Sequence, residues 1–261
     1  MDSQGDPWDG SAMTRRILIL GGTTEARELA GALARFDVAL SLAGRTARPA
    51  AQPVPVRVGG FGGVAGLAGY LRAERVGLLV DATHPYAATI SAHAAEAADI
   101  AGVPLLAVRR PGWERVDGDD WVEVADVRAA VAALGEVPRR VFLALGRQEV
   151  AGFAAAPQHD YLIRSVDPVE PKLGVPQAEY LLGRGPFDAE AERAMLEAHG
   201  IERIVCKNSG GDATYGKIVA ARELGVRVVM LARPVLPEVP AVGSVAAAQE
   251  WVGHWAARRG V

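Results

Sequence analysis

A pair of glycines followed by a pair of threonines is the first stretch of this chain whose residue types suggest chemistry. It follows the apolar residues 17–20 and precedes an alanine-rich segment. Four consecutive apolar residues predict a buried parallel strand, and a threonine before a helical segment predicts an N-cap. N–H groups at the start of a helix attract phosphate, and glycine lets the phosphate approach the backbone. We therefore predict that five residues bind the phosphates of a nucleotide cofactor: Gly21, Gly22, Thr23, Thr24 and Glu25.

The spacing of this stretch matches the dinucleotide-binding fingerprint G-x-G-x-x-G/A only in part. Gly21 takes the first place, but Thr23 stands where the second glycine is expected, and Ala26 takes the third place. A tight strand-to-helix turn without a ligand also uses Gly-Gly-Thr. A purely structural turn therefore stays open as the alternative.

The residues at the end of the next predicted strand, 38–43, bear on which cofactor binds. In nucleotide-binding folds an acidic residue at this point holds the ribose of NAD, whereas an arginine accommodates the 2′-phosphate of NADP. The sequence has no acidic residue here and offers hydroxyls and a guanidinium instead, so NADP(H) is favoured over NAD(H). The residues assigned to this role are Ser41, Gly44, Arg45 and Thr46. The alternative for Arg45 is a solvated surface arginine.

A third group follows the predicted strand 76–81, at the same edge of the sheet as the glycine pair. We place Thr83 and His84 at the cofactor and take His84 and Tyr86 as candidates for catalysis. Histidine and tyrosine can donate a hydrogen bond or a proton when their surroundings tune them. The structural alternative is that the His-Pro pair pins the loop and that Asp81 or Thr83 caps the next helix.

Cationic and small residues follow the predicted strands of the second half of the chain. Lys207 precedes a turn of small residues, which is suited to binding anions through its backbone N–H groups. We predict that this half binds a polycarboxylate or phosphate ligand, and we take Lys207 as a third candidate for positioning or proton delivery. The predicted substrate-binding residues are Tyr86, Arg147, Arg164, Ser165, Lys207, Ser209, Gly210 and Gly211. The alternative is that the cations form surface ion pairs.

Other site chemistries find no support in the sequence. The five histidines are scattered and the single cysteine, Cys206, has no partner, so no metal site is predicted. The chain also lacks a P-loop, a nucleophile elbow and a Tyr-x-x-x-Lys pair. Its composition, with 50% hydrophobic residues and a net charge of −3, predicts a globular protein that binds neither nucleic acid nor membrane. One cysteine favours the reducing cytoplasm.

Strand and helix signals alternate along the whole chain, which predicts an α/β fold. We expect two Rossmann-like lobes, each with a parallel sheet flanked by helices, and an active-site cleft between them. The expected division is a disordered N-terminal extension at 1–14, an NADP-binding domain at 15–137 and a second α/β domain at 138–261. Both halves end alike, with an apolar strand, an Arg-Pro pair, a loop and a helix that Asp126 or Ser244 opens.

The ordered set of these motifs resembles the precorrin-6A reductases of cobalamin biosynthesis. The matching segments are 21–26, 43–45, 81–87, 110–111 and 207–211, and the resemblance extends from about residue 15 to the closing Arg233-Pro234. It implies that NADPH reduces a ring double bond of precorrin-6A, a polycarboxylate tetrapyrrole, to give precorrin-6B without flavin or metal. Three alternatives stay open: a cobalt-precorrin-6A reductase, another NADP-dependent small-molecule reductase, and a non-catalytic NADP-sensing module. The oligomeric state is not predicted.

Overall fold

The computed structural model describes residues 16–44 and 50–259. Its described residues form two compact units. Unit 1 contains 16–44, 50–109 and 236–259, and unit 2 contains 110–235. The predicted N-terminal extension, together with Arg45 and Thr46, lies outside the described residues. Among the described helices, none is long and apolar enough to cross a membrane.

The elements alternate between strand and helix as the sequence predicts. The first part of unit 1 contains β1 (Arg16–Leu20), α1 (Thr24–Ala32), β2 (Val38–Leu42), β3 (Val56–Val58), α2 (Gly63–Ala73), β4 (Val76–Asp81), α3 (Ala88–Ala101) and β5 (Leu105–Val108). Unit 2 contains β6 (Trp121–Val124), α4 (Val127–Leu134), β7 (Arg140–Ala144), α5 (Arg147–Val150), a 3₁₀ turn (Ala151–Ala155), β8 (Asp160–Ser165), β9 (Ala178–Leu182), α6 (Ala189–Ala198), β10 (Arg203–Lys207), α7 (Gly216–Leu224) and β11 (Arg227–Leu231). The chain then returns to unit 1 with β12 (Ala241–Val242) and α8 (Val245–Ala257).

Unit 1 is built on a six-stranded parallel sheet in the order β3-β2-β1-β4-β5-β12. This is the strand order of Rossmann domains, with β1 at the centre. The strand order reverses between β1 and β4, where Leu20 pairs with Ser41 on one side and with Asp81 on the other. Ligands of such sheets bind beyond the carboxyl ends of the strands at this switch point. The predicted parallel α/β fold is confirmed.

Unit 2 repeats this arrangement in the order β9-β8-β7-β10-β11-β6, again with parallel strands. Its switch point lies between β7 and β10. One edge strand of each sheet differs in its place in the chain. In unit 2 this strand, β6, comes before the other five strands, whereas in unit 1 the strand β12 comes after all of unit 2.

The structure therefore divides the chain differently from the predicted 15–137 and 138–261. The chain leaves unit 1 after Arg109 and returns to it at Leu236. The segment 136–140, from which the boundary was predicted, contains only the connection between α4 and β7 and the first residue of β7. Strand pairing decides the division, because β6 pairs with β11 and β12 pairs with β5.

Alternation along β1 explains why unit 1 carries helices on both faces of its sheet. Ile17 and Ile19 belong to the buried cluster that includes residues of α1 and α8, whereas Leu18 and Leu20 belong to the cluster of α2 and α3. Successive side chains of a strand point to opposite faces, so an unbroken apolar run is needed when both faces are covered. The predicted caps are confirmed: the side chains of Thr23, Asp126 and Ser244 accept hydrogen bonds at the starts of α1, α4 and α8.

A buried histidine in unit 2 predicts acid sensitivity of the fold. His159 is fully buried beside the ring of Tyr161, and burial lowers the pKa of its imidazole. The neutral ring is therefore favoured in the folded state, and the unfolded chain takes up a proton first as the pH falls below about 6.5. We expect the free energy of unfolding to decrease between pH 7 and 5 by up to about 1.4 kcal/mol per pH unit from this group.

His159→Asn should flatten this slope in urea denaturation measured at several pH values. His254→Asn serves as the matched control, because His254 lies exposed on α8. A slope that is the same in His159→Asn as in the parent protein would contradict the assignment.

Candidate functional site

The glycine loop after β1 has the geometry of an anion cradle. Gly21 donates its N–H to the carbonyl of Ser41 at 2.9 Å, and a Cβ on Gly21 would lie 2.7 Å from Cδ1 of Leu40. Gly22 has φ of +116°, and a Cβ there would meet no heavy atom of the described residues within 4 Å. Within the described parts of the chain, no group accepts a hydrogen bond from the N–H of Gly22 or Thr24. The loop thus offers open space and backbone donors at the start of α1, which fits a pyrophosphate.

Thr23 links this loop to the neighbouring strand. Its hydroxyl accepts a hydrogen bond from the N–H of Ala26 at 3.1 Å, which caps α1, and it donates to the carbonyl of Ala82 at 2.8 Å. The carbonyl of Ala82 belongs to the loop between β4 and α3, residues 82–87, which we call the His84 loop. One hydroxyl therefore holds the glycine loop and the His84 loop together.

The buried carboxylate of Asp81 accepts hydrogen bonds that hold the His84 loop against β4 and α3. Asp81 accepts hydrogen bonds from the N–H of Thr83 at 3.1 Å, from the hydroxyl of Thr83 at 2.7 Å and from the hydroxyl of Ser91 at 2.6 Å. The predicted cofactor-binding residue Thr83 thus turns its hydroxyl to Asp81. Neither Asp81 nor Thr83 caps α3, whose N-cap is Ala87. Ser91 was not predicted, because nothing in an alanine-rich helix marks one serine as the partner of an aspartate at the end of the preceding strand.

His84 and Tyr86 are brought together at this edge, as predicted. Both are half-buried, and their ring centroids lie 5.7 Å apart. The N–H of Tyr86 donates to Nδ1 of His84 at 3.3 Å. A neutral imidazole that accepts at Nδ1 carries its proton on Nε2, so His84 can act as a donor from that atom.

The end of β2 completes the edge in unit 1. The side chain of Ser41 is buried, and its backbone carbonyl rather than its hydroxyl serves the glycine loop. Gly44 has φ of +74°, and a Cβ there would lie 3.1 Å from Cγ1 of Val58. The glycine loop, Gly44 and the His84 loop therefore follow three adjacent strands, while the predicted 2′-phosphate ligands Arg45 and Thr46 lie outside the described residues.

A second turn with anion-binding geometry follows β10 in unit 2. Lys207 forms an ion pair with Glu149 of α5, across the switch point between β7 and β10. Gly210 and Gly211 have φ of +68° and +70°. No described residue accepts a hydrogen bond from the N–H of either glycine. We define residues 207–211 as the lysine loop.

The other predicted substrate-binding residues of unit 2 differ in their surroundings. Arg164 is half-buried and forms a two-armed ion pair with the buried Glu192, with one N···O distance of 2.8 Å, and its guanidinium lies 3.7 Å from the centroid of the Phe187 ring. These contacts are those of an internal structural pair, which the sequence could not reveal because Glu192 lies on α6. Ser165 donates to the carbonyl of Asp167 at 2.7 Å, and Arg147 is exposed at the start of α5.

Comparison with known proteins assigns the chain to a family. Residues 16–253 match the model of the family described as precorrin-6x reductase CbiJ/CobK. The chain belongs to this family. A precorrin-6A reductase from a Sinorhizobium species is 56% identical over 257 residues, which cover 97% of this chain and 98% of that protein. A solved structure of CobK precorrin-6A reductase has a TM-score of 0.88 and 46% identity, and the match covers 95% of this chain and 98% of that one.

A second branch of relatives is more distant from this family member. A cobalt-precorrin-6A reductase from Priestia megaterium is 29% identical over 231 residues, which cover 84% of this chain and 90% of that protein. Membership of the reductase family implies a nicotinamide cofactor and a tetrapyrrole substrate. The cradle at Gly21 and Gly22 fits the cofactor's phosphates. Among the described residues, no cluster of histidine, cysteine or acidic side chains could hold a metal ion.

Proposed function

We propose that this chain catalyses the NADPH-dependent reduction of a ring double bond of precorrin-6A, which gives precorrin-6B. The observation that carries the proposal is the open glycine cradle at the switch point of a Rossmann sheet, in a chain 56% identical to a precorrin-6A reductase. The compartment we propose is the cytoplasm, since the one cysteine is unpaired and buried.

Unit 1 supplies the cofactor side of the proposed reaction. The N–H groups of Gly22 and Thr24 bind the pyrophosphate, and Arg45 binds the 2′-phosphate, which selects NADPH over NADH. The bound cofactor supplies a hydride. Thr23 and Asp81 hold the His84 loop in register with the cradle through the hydrogen bonds at Ala82 and Thr83.

Unit 2 supplies groups for the acetate and propionate chains of the tetrapyrrole. Lys207, Arg147 and the N–H groups of Gly210 and Gly211 are donors of the kind that carboxylates accept. The ion pair with Glu149 holds the Lys207 ammonium in place before a substrate binds. Ser209 adds a hydroxyl to the same loop.

Catalysis in this proposal depends chiefly on positioning. Reacting atoms must approach to roughly 3 to 3.5 Å in an aligned geometry. Proton delivery to the reduced ring falls to His84, Tyr86 or Lys207. In a neutral His84 ring, the hydrogen bond that Nδ1 accepts leaves Nε2 as the N–H donor. The conjugated ring delocalises the negative charge that it gains with the hydride, so a strong proton donor is not required.

The test is a spectroscopic assay of NADPH oxidation by the purified protein with precorrin-6A, run in parallel with the cobalt complex. We expect turnover with the metal-free ring and much slower turnover with the cobalt complex. Faster reduction of the cobalt complex would move the protein to the other branch. Cofactor binding without turnover of either ring would favour a sensing module.

A further inference from the structure

The two Arg-Pro pairs that end both halves of the sequence converge on the lysine loop. Arg110 and Arg233 both belong to unit 2, close to the points where the chain enters and leaves it. Arg233 donates through Nε to the carbonyl of Asn208 at 2.8 Å. Its other two nitrogens donate to the carbonyls of Arg110 at 2.8 Å and Pro111 at 3.1 Å. Arg110 in turn donates through Nε to the carbonyl of Ser209 at 2.6 Å.

A tryptophan and an asparagine complete this arrangement. The side chain of Asn208 accepts from the N–H of Trp113 at 2.7 Å and donates to the carbonyl of Trp113 at 3.0 Å. The indole N–H of Trp113 donates to the carbonyl of Gly211 at 2.8 Å. Three carbonyls of the lysine loop therefore accept hydrogen bonds from side chains outside it. The donors are Arg233 for Asn208, Arg110 for Ser209 and Trp113 for Gly211.

The bond from Arg110 determines where the N–H of Gly210 points, whereas the N–H of Ser209 donates within the loop to the carbonyl of Lys207 at 2.8 Å. In a trans peptide the C=O and the following N–H point in opposite directions, because the unit is planar. When Arg110 holds the carbonyl of Ser209, it also directs the N–H of Gly210 away from itself. The fit is close, since a Cβ on Gly210 would lie 2.1 Å from the carbonyl oxygen of Pro111.

We propose that Arg110 and Arg233 are positioning residues: Arg110 orients the N–H of Gly210 toward a carboxylate of the tetrapyrrole, and Arg233 holds the backbone of Arg110 and Pro111 against the lysine loop. This inference rests on the proposed function, in which the loop binds that carboxylate. The guanidinium of Arg233 is suited to the task because its planar fork serves three carbonyls at once. A lysine at this position keeps the charge but cannot reproduce the three bonds.

The experiment compares Arg233→Lys and Arg233→Gln with the parent enzyme in steady-state assays. Both variants should raise KM for precorrin-6A by about tenfold or more, because the donors are no longer held in register, while KM for NADPH changes less than about twofold. Hydrogen exchange at the N–H groups of Ser209 and Trp113 should become faster in the same variants. Arg227→Gln is the matched control, because Arg227 begins β11, the strand that precedes Arg233, and pairs at the surface with Asp120. It should change none of these quantities.

Several outcomes would overturn the inference. A normal KM for precorrin-6A in Arg233→Lys would show that only the charge matters. An equal rise in KM for both substrates would indicate a general loss of structure. If the Arg233 variants fail to fold, Arg110→Gln removes the bond to the carbonyl of Ser209 and decides in the same way. The exchange measurement needs no substrate, so unchanged exchange in the Arg233 variants refutes the positioning role by itself. Failure of the parent protein to reduce precorrin-6A would refute only the proposed function.

Discussion

Replacing Gly22 with valine should abolish measurable NADPH binding and leave the protein folded. The backbone at Gly22 has φ of +116°, which a β-branched residue adopts only with a strain of order 1 to 3 kcal/mol. A Cβ at this position lies more than 4 Å from every described atom, so the new side chain projects into the open space of the cradle, where the pyrophosphate is proposed to bind. Strain and steric exclusion act together, and the dissociation constant should rise by at least about a hundredfold. Fluorescence titration with NADPH measures the loss, and circular dichroism checks the fold.

Gly69→Ala is the matched control for this experiment. Gly69 lies exposed within α2, and a Cβ there meets none of the described atoms within 4 Å. Alanine in a helix interior should stabilise the protein by about 0.5 to 1 kcal/mol and leave NADPH binding unchanged. Tight NADPH binding by Gly22→Val would show that the cofactor does not use the cradle.

Arg45→Ala should weaken the binding of NADPH by about ten- to 150-fold and leave the binding of NADH nearly unchanged. A charge-assisted contact between a guanidinium and a phosphate contributes about 1.5 to 3 kcal/mol, and only NADPH carries the 2′-phosphate. This residue lies outside the described part of the chain, directly after Gly44 at the end of β2, so the prediction rests on the sequence. Isothermal titration with each cofactor gives the two affinities.

Two further variants sharpen the assignment of Arg45. Arg128→Ala changes an exposed arginine of α4 in unit 2 and should alter neither affinity. Arg48→Ala tests the other arginine of the same segment. An equal loss for both cofactors in Arg45→Ala, or a selective loss in Arg48→Ala alone, would remove Arg45 from this role.

Short strands were the elements that the sequence concealed. β3 spans only Val56–Val58 at the sheet edge, with two of its three residues exposed, and β12 has two residues. Such segments bury too little to show an apolar run or a clear alternation. The buried strands β1, β2 and β4, in contrast, were predicted to within one residue at 17–20, 38–43 and 76–81, because burial on both faces demands consecutive apolar residues.

Polar contacts between distant elements were also beyond the sequence. Arg164 was predicted to bind substrate because it ends a strand as a cation, but Glu192 of α6 binds it inside unit 2. The Arg-Pro pairs were visible as an echo between the halves, and only their contacts with the lysine loop give them a structural role. A residue's type states which bonds it can make, whereas its partner depends on which elements pack against it.

The sequence by itself determined the local features of this protein: the apolar strands, the capped helix starts, the glycine cradle and the cationic strand ends. Each depends on neighbours within a few positions, through backbone conformation and alternating burial. Tertiary structure alone decided that β6 joins unit 2 and β12 joins unit 1, and that Thr23 and Asp81 hold the His84 loop. These outcomes depend on pairing between segments far apart in the chain, where many partners are chemically acceptable and packing selects one.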